Sequence, residues 1–365
     1  MNKKLLIGAV SAALVVGAAV AQADVKVGGT ADMSYDSIKG CASAFNASAS
    51  TGCTENSTNQ DVSSNASNIT IDASDDLGNG LKGMFHITEF VRLDNNNGGN
   101  GALSGGNSYL GLGGDWGSVS AGNHDSGGKV NGRAFDLFGN HIGDSRNADV
   151  APSRVANLIW YATPTISGFS GFVAHSTGTS NSTPTYDNTT SADSLFAQYK
   201  EGPIHVGIGY DKLKFNGTTT GSGDKYQNIG GSYMFPTNTT VILFYQKHDN
   251  VGGNSDFSVK TSGFGLAQKF EGNNTVKLQY YSAKLEDSSA GGGSGKDKLY
   301  AIGVDHGFSK TFTGYVAYAK AKNDSNCTNA DGTCMSMAGG GHGDNPGTAD
   351  GQDMTGFSVG AIYKF

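Results

Sequence analysis

The sequence predicts an all-β chain that forms a transmembrane antiparallel β-barrel of 16 strands, with short turns at one end and long loops at the other. Three observations carry that expectation. The first is composition: 56 of the 365 residues are Gly, six are Pro and only 16% are charged, whereas ordinary soluble domains have about 7% Gly and about 25% charged residues. The second is a period of two, apolar against polar or small, repeated in segment after segment. The third is that the connections between these segments alternate short and long. So much Gly, with Asn and Ser throughout, argues against long helices. No apolar run beyond residue 23 approaches the ~18 residues of a helical membrane span. A net charge of −7 speaks against a nucleic-acid partner.

The chain begins with Lys3 and Lys4, an apolar run from Leu5 to Ala21, and the small-residue pattern Ala21-Gln22-Ala23. This is the layout of a secretory signal cleaved before Asp24. Residues 1–23 are therefore expected to be a signal peptide and 24–365 a single barrel domain. A retained membrane anchor is the alternative, but the run is short and broken by Ser11. Losing two Lys would bring the net charge from −7 to −9. The four cysteines suit an exported chain: Cys41 and Cys53 enclose 11 residues, and Cys327 and Cys334 enclose 6. Two local disulfides are the simplest reading, although four Cys allow three connectivities. Zinc is the alternative, but neither pair has Cys-x-x-Cys spacing or a His partner.

Strands are expected near 25–38, 66–75, 81–93, 107–113, 118–123, 154–163, 169–177 and 191–200, then 204–215, 224–235, 239–249, 258–270, 275–285, 298–308, 311–322 and 354–365. In the segment at 204–211, Ile204, Val206, Ile208 and Tyr210 share one face, opposite His205, Gly207, Gly209 and Asp211. Ile69, Ile71 and Ala73 oppose Asn68, Thr70, Asp72 and Ser74 in the same way. Such alternation means half-buried strands. Short connections such as Gly114-Asp115-Trp116-Gly117 and Glu201-Gly202-Pro203 alternate with long ones near 39–65, 94–106, 124–153, 178–190, 216–223, 250–257, 286–297 and 323–353. An even strand count with this asymmetry is the pattern of an outer-membrane barrel. Tyr35, Tyr210, Tyr233, Phe235, Tyr245, Phe270, Phe308, Tyr363 and Phe365 cluster toward strand ends, as interfacial girdles require. A soluble multi-sheet protein would need two aliphatic inner faces. Here the second faces carry Gly, Asn, Ser, Asp and Lys, which suits a water-filled lumen.

Several runs resemble the general bacterial porins of Gram-negative outer membranes. Asp75-Asp76-Leu77-Gly78-Asn79-Gly80-Leu81-Lys82-Gly83-Met84-Phe85 is similar to their first hairpin, and 108–119 (SYLGLGGDWGSV) to their fourth and fifth strands. Arg154 to Pro164, followed by Ser167-Gly168-Phe169-Ser170-Gly171-Phe172, resembles the sixth and seventh, and the chain ends in Tyr363-Lys364-Phe365. The resemblance implies a homotrimer of 16-stranded barrels in the bacterial outer membrane, in contact with lipid and lipopolysaccharide. Phe365 is then the signal read by the barrel-assembly machinery. The implied role is passive diffusion of ions and small hydrophilic solutes, with no enzymatic activity and no cofactor. Sixteen strands leave an aqueous channel.

In such a pore, diameter and charge at the narrowest point replace catalytic groups. The resemblance implies that the third long loop folds into the lumen. Here it holds Asp125, Lys129, Arg133, Asp136, His141, Asp144, Arg146 and Asp149. The plainer reading is that these are solvated loop charges. Where the family commonly places Arg on the second strand and after the fifth, this chain aligns Asn68 and Asn123, and a later basic position aligns with Asp72. Only four Arg occur: Arg92, Arg133, Arg146 and Arg154. The expected constriction is Asp72, Lys82, His86, Asp125, Arg133, Asp136, Asp144, Asp149 and Arg154, and its acidic excess predicts weak cation preference. A substrate-selective channel and a non-conducting, adhesin-like or enzymatic barrel are the alternatives. Gly291-Gly292-Gly293-Ser294-Gly295-Lys296 is an incomplete phosphate loop, with Ala290 at its first glycine position and Asp297 at its end. Gly340-Gly341-His342-Gly343-Asp344, with Asp350 and Asp353, fits no defined calcium repeat, so no metal is assigned. No Gly-x-Ser-x-Gly elbow is present.

Overall fold

The computed structural model describes residues 23–42, 54–94, 105–150, 154–178, 189–215, 223–289, 293–323 and 353–365. Residues 1–22 of the expected signal, Cys53, Cys327, Cys334, the side chain of Cys41 and the 340–344 run lie outside the described residues.

Among the described residues, seventeen strand segments form one sheet: β1 Asp24–Ala42, β2 Thr54–Ser64, β3 Asn68–Gly78, β4 Leu81–Phe90, β5 Ser108–Gly114, β6 Gly117–Asp125, β7 Arg154–Ala162, β8 Phe169–Ser176, β9 Thr189–Glu201, β10 Ile204–Phe215, β11 Asp224–Met234, β12 Thr239–Asp249, β13 Phe257–Phe270, β14 Asn274–Asp287, β15 Ser294–Gly307, β16 Phe312–Lys322 and β17 Met354–Lys364. Each segment pairs antiparallel with its neighbours, and β17 closes on β1, with Thr30 opposite Lys364 and Lys39 opposite Thr355. The seventeen segments make 16 staves, because β2 and β3 are halves of one. Both lie against β1, with Ser64 opposite Met33 and Asn68 opposite Thr30. The break falls at Asn65-Ala66-Ser67, where Ala66 has φ 54°. There Asp32 N donates to Ser67 Oγ (2.9 Å) and Asn65 N donates to the Asp32 carbonyl (2.8 Å).

The sequence predicts this stave from residue 66 after a loop at 39–65, whereas the structure already has a strand over 54–64. Its polar composition (TENSTNQDVSS) lacks the alternation that lipid contact imposes. The 19 residues of β1 span about 60 Å at ~3.3 Å per residue, whereas a tilted span needs only ~9–11 residues. The β1–β2 hairpin therefore extends past the apolar band and needs no greasy face. The expected phosphate-loop decoy runs straight into β15, so a strand follows it and not a helix.

Turn chemistry fixes the register. Asn79-Gly80 joins β3 to β4 with both residues at positive φ, 53° and 76°, the two-residue turn whose twist matches paired strands. Outward side chains form the apolar band, with Leu110 67%, Val27 64% and Leu243 62% exposed. Water would not tolerate so continuous a surface, but lipid does. Tyr233, Phe235, Phe270, Phe308, Phe312, Tyr363 and Phe365 crowd the short-turn end, several in ring contact. Phe365 is bonded through its backbone to Gly29 (3.0 and 3.2 Å).

The inner face departs from the expected uniformly polar wall. On β12 to β17 it presents Ile242, Phe244, Val259, Tyr281, Leu299, Ala317 and Met354, all buried against one another and against Phe135, Phe138, Ile142 and Val150 of the third long loop. That flank of the barrel is packed core.

Candidate functional site

The third long loop leaves β6, forms the helix α1 Gly127–Ala134, and lies along the inside of the barrel wall. Ser126 caps α1, its Oγ accepting from Lys129 N (3.3 Å) and donating to Asp211 Oδ2 (2.6 Å). Asp211, fully buried on the inner face of β10, also accepts from Gly128 N (3.1 Å) and Ser194 Oγ (2.7 Å). An acceptor carboxylate here satisfies orphan amides and complements the positive end of the helix. Asn131 donates to Asn228 Oδ1 (2.9 Å), and Asn228 returns a bond to the Gly128 carbonyl (2.9 Å).

Beyond α1, Phe135, Phe138 and Ile142 are 1%, 1% and 0% exposed. Each contributes about 1.5–3 kcal/mol of apolar burial. The wall makes room with glycine: a Cβ on Gly230 would fall 2.1 Å from Phe135 Cδ2, and one on Gly209 would fall 2.6 Å from the Gly127 carbonyl oxygen. Two histidine–aspartate contacts complete the docking. His141 Nε2 meets Asp32 Oδ2 at 2.8 Å, with its ring stacked 4.3 Å from Tyr315, which donates to Asp32 Oδ1 (3.1 Å). His248 Nδ1 of β12 meets Asp149 Oδ2 at 3.0 Å, and its Nε2 lies 3.4 Å from Asp224 Oδ2.

Inside the loop, Asp144 is wholly buried and holds Arg133 Nη1 (3.1 Å) and Arg146 Nε (3.0 and 3.1 Å). Burial alone would push the Asp144 carboxyl up, but Arg146 and then Arg133 outweigh it and hold the group below the usual carboxylate range. Asp136 has the opposite outcome. Burial and the neighbouring Asp144 push it up, despite bonds from Gln279 Nε2 (2.9 Å), Phe138 N (2.9 Å) and Ser145 N and Oγ (3.0 and 2.9 Å).

A cavity of ≈ 470 Å³ lies between the loop and the facing wall of β2 to β7. Arg92, Lys129, Arg133, Arg146 and Arg154 line it, against Asp94 and Asp125. Asp125 Oδ1 takes both Lys129 Nζ and Arg154 Nε at 2.9 Å. Arg154 is held by Asn107 Oδ1 (3.0 Å) and the Gly105 carbonyl (2.6 Å), over the Phe90 ring. Burial pushes the Lys129 ammonium down to about 8, with Asp125 offsetting part of the shift. Toward the short-turn end, a second cavity of ≈ 410 Å³ is lined by Asp72, His86, Tyr109, His124 and Trp160 among others. There His86 Nδ1 meets Asp72 Oδ1 at 2.7 Å, and the His86 ring stacks on Tyr109.

The family model for Gram-negative porins matches residues 9–326. The chain belongs to the Gram-negative porin family. Solved structures similar to this porin include the anion-selective porin of Comamonas acidovorans (22% identical, TM-score 0.73, covering 94% of this chain and 100% of that one). OmpF of Salmonella typhi, solved with daunomycin, is 14% identical with TM-score 0.66 over 94% and 98%. The trimer form of Vibrio cholerae OmpT is 14% identical with TM-score 0.64 over 94% and 99%. At these identities the likeness is one of fold. No curated protein sequence matches the chain. The chain is thus an outer-membrane channel protein and not an enzyme.

The nine residues expected at this porin's constriction separate into groups. Asp125, Arg133 and Arg154 line the larger cavity. Asp136 and Asp144 sit behind it, turned into the loop. Asp72 and His86 pair in the second cavity, Asp149 is docked on β12, and Lys82 lines neither cavity, lying beside the β3–β4 turn opposite Asp76. Sequence reasoning missed Arg92, Lys129 and Arg146 as cavity-lining groups, and Asp32, Asp211, Gln279 and His248 as anchors. Strand period could have put Asp211 on the inner face beside Gly209. Nothing local says that a loop some 80 residues earlier in the chain docks there.

Proposed function

We propose that this porin is a water-filled diffusion channel for ions and small hydrophilic solutes, that it prefers anions, and that it works as a homotrimer. One observation carries the ion preference. All four arginines of the chain and Lys129 converge on one cavity, with Asp94 and Asp125 the acidic groups that line it among the described residues and Asp144 behind. Guanidinium groups stay charged at any accessible pH, and a cluster of one sign concentrates the opposite ion. This reading opposes the cation preference expected from the sequence. That expectation weighed every loop acid equally, yet Asp136, Asp144 and Asp149 spend their charge on the loop's own anchorage. The description of the Comamonas porin as anion-selective and the trimeric form of the Vibrio porin are in keeping with the proposal. Phe365, at the rim of the aromatic girdle, is the element offered to the assembly machinery. The test is a planar-bilayer reversal potential in a KCl gradient. Chloride permeating ahead of potassium is the expected result. Potassium ahead of chloride would restore the cation reading, and absence of conductance would favour a non-conducting barrel.

A further inference from the structure

A diffusion channel needs no aromatic side chains in its lumen, yet six successive strands of this barrel each turn a ring inward. They are His86 of β4, Tyr109 of β5, His124 of β6, Trp160 of β7, Phe172 of β8 and Phe196 of β9. The rings touch one another in order. His86 stacks on Tyr109 with centroids 5.0 Å apart, and Tyr109 meets Trp160 edge-on at 5.0 Å. His124 lies 4.8 Å from Trp160 and 5.7 Å from Phe172, and Phe172 lies 5.8 Å from Phe196. Interfacial lipid explains the outward girdle, but it does not reach this arc. Part of the arc is core: Val130 packs against the cluster, and α1 lies along β9 to β11, over the Phe196 end. The remaining five rings, from His86 to Phe172, line the open cavity of ≈ 410 Å³.

That cavity adjoins the arginine-lined one. On β4, His86 Nε2 meets Thr88 Oγ1 at 2.9 Å, and Thr88 lines the larger cavity. Tyr109 of β5 stands two positions toward the short turn from Asn107, whose Oδ1 accepts from Arg154 Nε (3.0 Å). On β6, His124 immediately precedes Asp125, the residue that holds Lys129 and Arg154. Two residues of strand cover about 7 Å. A ring seated on Tyr109 therefore has fixed cations within the length of one small molecule. The far end of the ring-lined cavity carries Asp72, held by His86 at 2.7 Å. An anionic group is repelled there and drawn toward Arg154, so the charges of the two cavities set which way round a solute lies.

We infer that the two cavities together bind small aromatic carboxylates, the ring against Tyr109 and Trp160 and the carboxylate toward Arg154. Aromatic pairs gain attraction beyond the area they bury, which favours a planar aromatic ring over an aliphatic one of the same size. Charge-assisted bonds to a guanidinium hold the carboxylate. A neutral sugar would leave the arginines without a counter-ion, and an aromatic amine would meet them with like charge. Flux of such an acid saturates at concentrations where chloride flux is still linear. The inference rests on the lumen-facing arginines that the anion reading also uses.

The chain itself carries a reporter. It has two tryptophans, and Trp116, in the β5–β6 turn, stacks on Tyr161 and does not line the cavity. Trp116→Phe in the full-length protein leaves Trp160 as the sole indole. Its fluorescence is titrated in neutral detergent with 4-bromobenzoate, a contact quencher. The quenching is then competed with benzoate, cyclohexanecarboxylate, acetate and benzylammonium. Benzoate is expected to compete about three- to tenfold better than cyclohexanecarboxylate, acetate weakly, and benzylammonium not at all. Tyr109→Leu should erase the preference for the aromatic ring. Arg154→Gln should weaken benzoate and cyclohexanecarboxylate by a common factor of roughly tenfold. Phe264→Leu, on the lipid-facing side of β13, should change neither. Cyclohexanecarboxylate competing as well as benzoate would reduce the rings to a general apolar surface and overturn the inference. Benzylammonium competing as well would make Asp72 the attracting group and also overturn it, as would the absence of quenching. The competitor series leaves the ring arc unaltered, so it decides the matter even if Tyr109→Leu fails to fold. Reversal potentials in KCl alone are recorded on the same protein. Potassium permeating ahead of chloride would count against the anion reading while the fluorescence result stands. Chloride ahead of potassium with no preference for the aromatic ring would overturn this inference alone.

Discussion

Replacing Arg133 by Gln isolates the charge that the anion reading depends on. Arg133 reaches the larger cavity with 30% of its side chain exposed, and it shares Asp144 with Arg146. Gln is two bonds shorter and gives up the contact to Asp144, but Arg146 remains to neutralise that carboxylate, so the loop keeps an anchor. A cavity of ≈ 470 Å³ is as large as a sphere of radius about 5 Å, and at that distance a unit charge in water contributes about 0.8 kcal/mol. Screening at 0.1 M salt, with a Debye length of ~10 Å, reduces this to roughly 0.5 kcal/mol. Because the sign reverses between chloride and potassium, the loss is felt twice, about 1 kcal/mol in their ratio, or about fivefold in relative permeability. Arg133→Glu doubles the charge change and should give about 25-fold. Reversal potentials in a tenfold KCl gradient measure this directly, with heat-modified gel mobility verifying that the barrel and its oligomer are intact. A folded R133Q channel whose chloride preference is unchanged or larger would refute the reasoning.

Chloride preference should also fall as pH rises from 7 to 9, by a factor similar to that for R133Q, because Lys129 loses its proton near 8. Lys129→Met should sit at the lower value throughout, and a flat profile in the wild type would count against the assignment. The stability term has the same origin: a lysine held below its ordinary value of about 10.4 is least favourable to the fold when protonated. Folding stability should therefore rise as pH climbs from about 8 toward 10.4. Asp144→Asn leaves Arg133 and Arg146 together without their buried partner, at a cost of about 3–5 kcal/mol. Amides of 136–150 should lose hydrogen-exchange protection while strand amides keep theirs. In the wild type, the same release should come only on acidification below the usual carboxylate range, because the depressed Asp144 group must be protonated first. Gly209→Ala places a methyl 2.6 Å from the Gly127 carbonyl oxygen and 2.7 Å from Gly128 Cα. It should lift α1 off the wall and show as noisier or larger unitary currents, whereas unaltered single-channel records would show that the wall has slack.

Much of the architecture is written locally. Ile204 to Asp211 alternates because one side of β10 meets lipid, and Asn79-Gly80 turns because both residues accept positive φ. The stretch at 54–64 was unreadable for the converse reason: above the apolar band no solvent imposes a period. The surplus of glycine has two sources that the sequence cannot separate. Some glycines line water, and others, such as Gly209 and Gly230, are places where a loop lies against the wall with no room for a Cβ.

Charge was the least legible quantity. The loop's acids and bases could be counted, but the count says nothing about which of them face water. Asp136 and Asp149 are turned toward Gln279 and His248, partners more than 95 residues away in sequence, while Arg92, Arg133, Arg146 and Arg154 arrive at one cavity from three separate stretches of chain. The sequence by itself determined the alternation, the turns, the two solvents of each strand and the membership of a family. Only the tertiary structure decided which charges face the cavity, because which charge is buried, paired or left to the water is a property of contacts between distant segments, and no period or local propensity encodes it.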